Sequence, residues 1–169
     1  MKIEDVNGLT RERFVTALGW IFEGTPWVAE RAWAHGPFAS LDGLHAAMVA
    51  EVQHASHEEK LGLLRAHPDL GVRARMSGAS VKEQSSAGLD RLTPPELAEF
   101  QRMNAAYSEE FGFPFLFAVK GSTKEDILKS LSERLGGTPE EEFRRALEQV
   151  FRIAQFRLQE QSRDRRERS

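Results

Sequence analysis

Apolar residues recur along most of the chain at the spacing of an α-helix. Phe14, Leu18 and Ile21 fall on one helical face, and Phe100 and Met103 fall on another. We find no run with the clear period-two alternation of a half-buried strand. The pattern therefore predicts an all-α protein, a compact bundle of roughly seven to nine short helices. We place these helices at 10–23, 26–35, 41–54, 57–66, 81–90, 94–111, 123–135 and 139–162.

Capping residues mark the ends of these helices. A Ser or Thr followed three residues later by Glu predicts a capping box, in which each side chain satisfies a backbone amide of the first turn. Thr93-Pro94 adds proline at the first helical position, and Gly112 suits a helix C-terminus because glycine accepts the left-handed conformation. The predicted boxes are Ser56/Glu59, Ser80/Glu83, Thr93/Glu96, Ser122/Glu125 and Thr138/Glu141.

One apolar stretch, residues 113–119, departs from the helical pattern. Gly112 precedes it and Pro114 lies near its start, so a helix is disfavoured there. A lone strand would lack a partner, and we therefore expect a buried, extended segment. Buried non-helical backbone beside a pocket would offer amides and carbonyls to a urea-like ligand.

Composition narrows the class of protein. The chain has 169 residues, of which 40% are hydrophobic and 29% charged, as in a soluble globular protein. We predict one domain at residues 1–162, followed by a charged, frayed tail at 163–169. The absence of cysteine excludes disulfides, thiol nucleophiles and cysteine-bound metal centres.

Charge and hydropathy argue against several partners. A formal net charge of −3 gives no general attraction to nucleic acid or to anionic membranes. The strongest apolar run, 113–119, is far shorter than the roughly twenty residues of a membrane span. The polar N-terminus, residues 1–10, lacks the pattern of a secretory signal. We therefore predict a cytoplasmic protein.

Among the histidines, His67 is the candidate for chemistry. It directly precedes Pro68, which disfavours helical backbone, so it lies at the C-terminal end of helix 57–66. The negative end of that helix favours imidazolium and makes His67 a credible proton donor. A helix-capping histidine explains the position equally well. His54 and His57 straddle a predicted helix boundary, so we interpret them as surface residues and predict no metal site.

Glu83 lies at the start of a predicted helix. It completes a capping box with Ser80, and a cap is the simpler interpretation of this residue taken alone. The neighbouring Gln84, Ser85 and Ser86 make this helix start rich in small polar groups. A helix N-terminus with free amides also suits an anionic or carbonyl-rich ligand.

Arg157 lies on or beside the apolar stripe of the last predicted helix, three residues after Ala154. An arginine aimed inward needs a carboxylate, because an unpaired buried charge is costly. Facing a pocket, its guanidinium would bind a substrate carboxylate through two parallel hydrogen bonds. The alternative is an arginine that extends from the edge of the stripe to solvent, as we expect for Arg152.

Four segments together resemble the 2-oxo-4-hydroxy-4-carboxy-5-ureidoimidazoline (OHCU) decarboxylases of urate breakdown. They are His67-Pro68-Asp69-Leu70, Ser80-Val81-Lys82-Glu83-Gln84, Phe111-Gly112-Phe113-Pro114-Phe115 and Arg157-Leu158. Each is weak alone, but their order and spacing over nearly the full chain are specific. The resemblance implies a helical enzyme, usually a homodimer, that produces (S)-allantoin without a metal or an organic cofactor.

The resemblance also implies roles for individual residues. His67 would be the catalytic proton donor, Glu83 would assist it, and Arg157 would hold the substrate. A catalytically inactive, partner-binding domain of the same fold is the alternative, but it would be expected to lose at least one of these three residues. A helical nucleic-acid-binding module is disfavoured by the net charge. The remaining residues implied to line the substrate are Pro68, Ser80, Val81, Lys82, Gln84, Phe115, Leu116, Phe117, Ala118 and Val119.

Overall fold

Helices account for the regular secondary structure of the described residues. The computed structural model describes residues 1–70 and 92–168, with side chains described to residue 162. No strand occurs within these ranges, which confirms the predicted all-α class. None of the described helices is long and apolar enough to cross a membrane. The helices are α1 (Ile3–Asn7), α2 (Arg11–Leu18), a 3₁₀ turn (Gly19–Ile21), α3 (Trp27–Trp33), α4 (Leu41–Gln53), α5 (His57–Ala66), α6 (Pro94–Phe111), α7 (Lys124–Arg134) and α8 (Pro139–Arg168).

The helix boundaries follow the hydrophobic pattern with some differences. The predicted helix 10–23 is wrong as one element, because α2 ends at Leu18 and a 3₁₀ turn follows from Gly19. Glycine inside a helix costs about 1 kcal/mol relative to alanine, which favours this break. The helix α1 was not predicted, since it buries only Val6 and is too short to show a period. The predicted helix 81–90 lies outside the described residues.

The structure divides into two compact units, each with its own core. The first unit comprises Met1–Ala66 and Phe151–Ser169, and the second comprises His67–Val150. The helix α8 contributes to both, and its backbone continues to Arg168, past the predicted end at 162. The prediction of one domain with a frayed tail stays a prediction. Fully buried side chains include Phe14, Val28, Leu44, Met48 and Leu63 in the first unit, and Phe100, Tyr107, Phe115, Ile127 and Leu131 in the second.

The capping boxes set where several helices begin. At α5, the Glu59 amide donates to Ser56 Oγ at 3.1 Å and the Ser56 amide donates to Glu59 Oε1 at 3.3 Å, as predicted. The box Thr93/Glu96 at α6 is also confirmed. At α7 the prediction was wrong by one residue, because Thr123 and Asp126 form the box. Aspartate is shorter than glutamate but still reaches the Thr123 amide, at 3.0 Å.

Of the other predicted helix starts, Ser80/Glu83 lies outside the described residues. At α8, the Glu141 amide donates to Thr138 Oγ1 at 3.2 Å, which confirms that half of the predicted box. At the C-terminus of α6, Gly112 adopts a φ of +78°, the left-handed conformation expected for it.

A fully buried carboxylate, Glu142, organises the second unit. Its Oε1 accepts hydrogen bonds from Tyr107 Oη at 2.8 Å and Arg134 Nε at 2.7 Å. Its Oε2 accepts a third from Arg145 Nη1 at 3.0 Å. Burial raises the pKa of Tyr107 well above its ordinary value, so the phenol keeps its proton and remains a donor. The carboxylate is therefore paired and hydrogen-bonded, as a buried charge must be.

The same cluster binds the non-helical segment 113–119. Arg134 Nη1 donates to the Leu116 carbonyl at 2.7 Å, and its guanidinium carbon lies 4.6 Å from the centroid of the Phe115 ring. Gly137 makes room for the carboxylate, because a Cβ atom there would lie 2.8 Å from Glu142 Oε2. Helix α7, the turn at Gly137 and the segment 113–119 therefore all depend on the buried charge of Glu142 and its partner Arg134.

We predict that Glu142→Gln destabilises the protein strongly. The substitution leaves the Arg134 guanidinium, only 6% exposed, without its carboxylate, and breaking a buried pair in this way costs about 3–5 kcal/mol. The free energy of unfolding from urea denaturation measures the loss. Glu140→Gln, which removes an exposed charge from the first turn of α8, is the control and should change it by less than about 0.5 kcal/mol. Equal effects of the two substitutions would contradict the prediction.

Candidate active site

His67 occupies the position expected from the sequence. The helix α5 ends at Ala66, and His67 follows as a residue that is only 5% exposed. Pro68, next in the chain, is partly buried. Because proline disfavours helical backbone at the residue before it, the sequence itself ends α5 at this point. The imidazole is thereby held in a protected site beside the negative end of a ten-residue helix.

The residues after His67 are anchored to α6. Asn104 is buried, and its Nδ2 donates to the Leu70 carbonyl at 3.2 Å. Asp69, which lies between His67 and Leu70 in sequence, is partly buried, and this burial raises the pKa of its carboxyl group. Its Oδ1 is buried and accepts no hydrogen bond from the part of the chain that the structure describes. Sequence analysis gave Asp69 no role, although its place inside the His67–Leu70 motif was a signal.

The segment Phe113–Val119 forms neither a helix nor a strand and is mostly buried, which confirms the predicted break in the helical pattern and the predicted burial. Phe115, Leu116, Ala118 and Val119 are at most 5% exposed, whereas Phe117 is partly exposed. The Ala118 amide donates to Gln149 Oε1 at 2.9 Å, and the Leu116 carbonyl accepts from Arg134, as described above. Two backbone groups of the predicted substrate-lining segment therefore have side-chain partners, which fix the segment within the second unit.

Arg157 points inward, in agreement with its place on the apolar stripe of the last helix. Its side chain is 2% exposed, while Arg152, one turn earlier, is exposed as predicted. Arg157 Nη2 forms an ion pair with Glu23 Oε2 at 2.9 Å. The need of a buried arginine for a carboxylate is thus met inside the protein.

The 3₁₀ turn supplies further partners for Arg157. Its Nη1 donates to the carbonyls of Trp20 at 3.3 Å and Ile21 at 3.4 Å. The guanidinium carbon also lies 5.7 Å from the centroid of the Trp20 ring, within the range of a cation–π contact. Sequence analysis missed Glu23 because nothing in its local sequence connects it with a residue near the other end of the chain.

The predicted site residues therefore fall in three groups. The first unit contains Arg157, and the second contains His67, Pro68 and the segment 115–119. Glu83, together with Ser80, Val81, Lys82 and Gln84, lies outside the described residues.

The first unit contains a cavity of about 620 Å³. None of the residues predicted to bind substrate lines it, and its walls carry carboxylates of both α1 and α4. We therefore do not assign the predicted chemistry to it. The lining residues are Met1, Lys2, Ile3, Glu4, Asp5, Ala39, Ser40, Leu41, Asp42, Gln159 and Ser162.

The other histidines have structural partners. His35 Nε2 lies 2.6 Å from Glu51 Oε1, and His45 Nε2 lies 2.8 Å from the Phe151 carbonyl oxygen. His54 is exposed, and its Nδ1 lies 2.7 Å from the Ala50 carbonyl oxygen of its own helix. Over 1–70 and 92–162, no group of three His, Asp or Glu side chains is arranged to hold a metal ion.

Comparison with solved structures supports the fold. The crystal structure of (S)-allantoin synthase aligns over 95% of this chain with a TM-score of 0.76 and 36% sequence identity. The chain spans only about half, 54%, of that longer protein. A crystal structure of OHCU decarboxylase in the presence of (S)-allantoin aligns over 78% of this chain and 87% of its own, with a TM-score of 0.66 and 25% identity.

Comparison with sequences identifies the family. The OHCU decarboxylase of Halalkalicoccus jeotgali is 47% identical over 160 residues, which cover 95% of this chain and 91% of that protein. The family model described as OHCU decarboxylase matches residues 7–159. With nearly the whole chain matched, this protein belongs to the OHCU decarboxylase family and is a carboxy-lyase.

Proposed function

We propose that this enzyme converts OHCU and a proton into (S)-allantoin and CO2, in the breakdown of urate. The observation that carries the proposal is the family match over residues 7–159. The inward position of His67 and Arg157 supports it, because an acid and a cation protected from solvent suit decarboxylation of a small anion.

The chemistry of OHCU explains how a protein without an organic cofactor performs this reaction. The carboxylate is next to a ring C=N bond. When the carbon–carboxylate bond breaks and CO2 leaves, its electron pair is accepted by that bond. The nitrogen of that bond takes up a proton, and the carbon that lost CO2 becomes a carbonyl as its hydroxyl proton leaves. A proton must then reach the neighbouring ring carbon, which carries the ureido group, from one face to yield a single enantiomer. The enzyme has to orient the carboxylate, balance the charge on the ring and deliver the proton.

His67 is proposed as the proton donor, with Glu83 assisting it. The burial of His67 keeps bulk water away from its ring, so the proton is delivered from a fixed direction. A positioned general acid is typically worth about 10²–10⁴ in rate. Pro68 contributes by ending α5, which fixes the direction of the histidine.

Arg157 is proposed to hold the substrate carboxylate, and two segments are proposed to line the ring. These are 80–84, which is rich in polar residues, and Phe115–Val119, whose apolar side chains and backbone would contact the ureido-imidazoline. The anchoring of Leu116 and Ala118 by side chains supports a rigid wall at this point.

The family resemblance further suggests a homodimer, and we propose this as the working form. Light scattering coupled to size-exclusion chromatography would report the mass directly. A monomer at micromolar concentration would contradict the proposal. The cytoplasmic location expected from the sequence stays a prediction.

OHCU generated in situ from urate tests the activity itself. The compound decays unaided to racemic allantoin, so circular dichroism distinguishes enzymatic from spontaneous product. We expect rapid growth of a single-enantiomer signal when the purified protein is added without metal or organic cofactor. A folded protein that produces neither acceleration nor optical activity would instead favour a partner-binding domain that has kept the fold alone.

We predict that His67→Asn lowers kcat by about 10²–10⁴ while the protein stays folded, because asparagine cannot donate a proton as an acid. The optical assay measures the rate and far-ultraviolet circular dichroism measures the helix content. His54→Asn, at an exposed site, is the matched control and should retain full activity. Substantial turnover by His67→Asn would remove the role assigned to the imidazole.

Arg157→Lys is expected to lower kcat/KM by at least about tenfold, the equivalent of about 1.4 kcal/mol of transition-state stabilisation. Lysine keeps the charge but lacks the planar fork that binds a carboxylate at two points. Steady-state kinetics give the parameters, and Arg152→Lys in the same helix is the exposed control. Equal kinetics for the two variants would show that Arg157 does not hold the substrate.

A further inference from the structure

The two partners of the ion pair between Arg157 and Glu23 differ in their exposure to solvent. The Arg157 side chain is 2% exposed and that of Glu23 is 18% exposed, so the carboxylate lies at the more accessible side of the pair. Their closest atoms, Nη2 and Oε2, are 2.9 Å apart, as in a charge-assisted hydrogen bond. All of these contacts lie within the first unit.

We propose that Glu23 is a positioning residue of the decarboxylase site, which sets the plane of the Arg157 guanidinium for the substrate carboxylate. This inference rests on the proposed function, in which Arg157 binds that carboxylate. Glu23 lies outside the four segments that carry the family resemblance.

The first argument is geometric. The guanidinium is held at two nitrogens, with Nη2 on Glu23 and Nη1 on the carbonyls of the 3₁₀ turn. A planar group held at two of its corners cannot rotate about its long axis. Recognition of a carboxylate by arginine depends on that plane, because the two parallel hydrogen bonds need both acceptor oxygens in register with the fork.

The second argument comes from the local structure. The carbonyls of Trp20 and Ile21 reach Arg157 because the chain leaves α2 at Gly19 and tightens into a 3₁₀ turn. Glu23 lies two residues after the end of this turn. One short segment thus supplies the backbone acceptors and the carboxylate together, and it can orient the arginine as a unit.

The third argument is electrostatic and distinguishes orientation from simple attraction. Glu23 reduces the net charge that an incoming carboxylate meets, so it weakens the general attraction of Arg157 for anions. If attraction alone mattered, removing the charge of Glu23 would improve substrate binding. If orientation matters, the same change harms the reaction. Attraction and orientation therefore predict opposite changes in kcat/KM when the charge of Glu23 is removed.

The test compares Glu23→Gln with a matched control. Glutamine has the same shape but cannot form the ion pair. We expect kcat/KM for OHCU to fall by about tenfold or more, because the neutral amide oxygen accepts a weaker hydrogen bond than the carboxylate and holds the fork less firmly in one orientation. Glu51→Gln is the control, since Glu51 also pairs with a basic side chain in the first unit and its side chain is 20% exposed. We expect Glu51→Gln to retain the kinetics of the unmodified enzyme.

Inhibition by (S)-allantoin separates positioning from a merely structural role. This molecule lacks the carboxylate that leaves as CO2, so its inhibition constant should change by less than about twofold in Glu23→Gln. A general distortion of the site would weaken substrate and product alike. Equal losses for both would overturn the proposal, and so would an unchanged or improved kcat/KM.

A double-mutant cycle with Arg157→Lys provides the second test. If Glu23 acts through Arg157, then Glu23→Gln should cost little more once Arg157 has been replaced by lysine. Full additivity of the two losses would show that Glu23 acts independently and would overturn the proposal. Should Glu23→Gln fail to fold, Glu23→Asp takes its place. That variant keeps the negative charge on a side chain that is one methylene shorter. We therefore expect a smaller loss of kcat/KM for OHCU than in Glu23→Gln.

The experiment also separates this inference from the proposed function. A folded, unmodified protein that does not turn over OHCU would overturn the proposed function and the role of Glu23 with it. An active protein in which Glu23→Gln behaves like Glu51→Gln would overturn the role of Glu23 alone.

Discussion

The structure of the second unit depends on a carboxylate that has no access to water. A buried anion is tolerated only if hydrogen bonds replace its hydration, and the three donors around Glu142 come from α6, α7 and α8. Each donor must be in place for the charge to be acceptable, so the carboxylate specifies how these helices meet. The non-helical segment 113–119 depends on the same cluster, because Arg134 also binds the Leu116 carbonyl. Part of the proposed substrate wall is therefore built on an ionic core.

The first unit contains a buried cation, which likewise needs hydrogen-bond partners in place of water. Arg157 is accommodated by Glu23 and by backbone carbonyls of a turn, where a continuous helix would have used those carbonyls internally. The break between α2 and the turn is thus more than a weak point in a helix. In both units, irregular backbone appears where a buried charged side chain needs an acceptor.

Much of this could be predicted from the sequence, because it depends on local patterns. The period of apolar residues identified the helices, Pro68 placed His67 at a helix end, and the stripe of α8 indicated that Arg157 faces inward. The buried, non-helical character of 113–119 also followed from one proline, one glycine and a run of apolar residues. These features arise from backbone preference and burial, which act over a few residues.

The remaining features depend on contacts between distant parts of the chain. The need of Arg157 for a carboxylate was evident, but its identity as Glu23 was not, since many acidic residues were equally available in sequence. The capping box at α7 was misplaced by one residue, because the side chain that accepts the hydrogen bond from the cap amide is Asp126 and not Glu125. Asp69 gained significance only from its burial, a property that its neighbours in sequence do not determine.

Gly137 shows how such a contact changes the rules for protein engineering. It precedes Thr138 and Pro139, where glycine would be taken for a simple spacer between two helices. Replacing a spacer glycine by alanine commonly adds stability, because it restricts the unfolded chain. Here the added methyl group would meet Glu142 Oε2 at 2.8 Å, a carboxylate oxygen already fixed by its donors. The entropic gain would be offset by disruption of the ionic core, so a rule that considers only backbone freedom would choose this position wrongly.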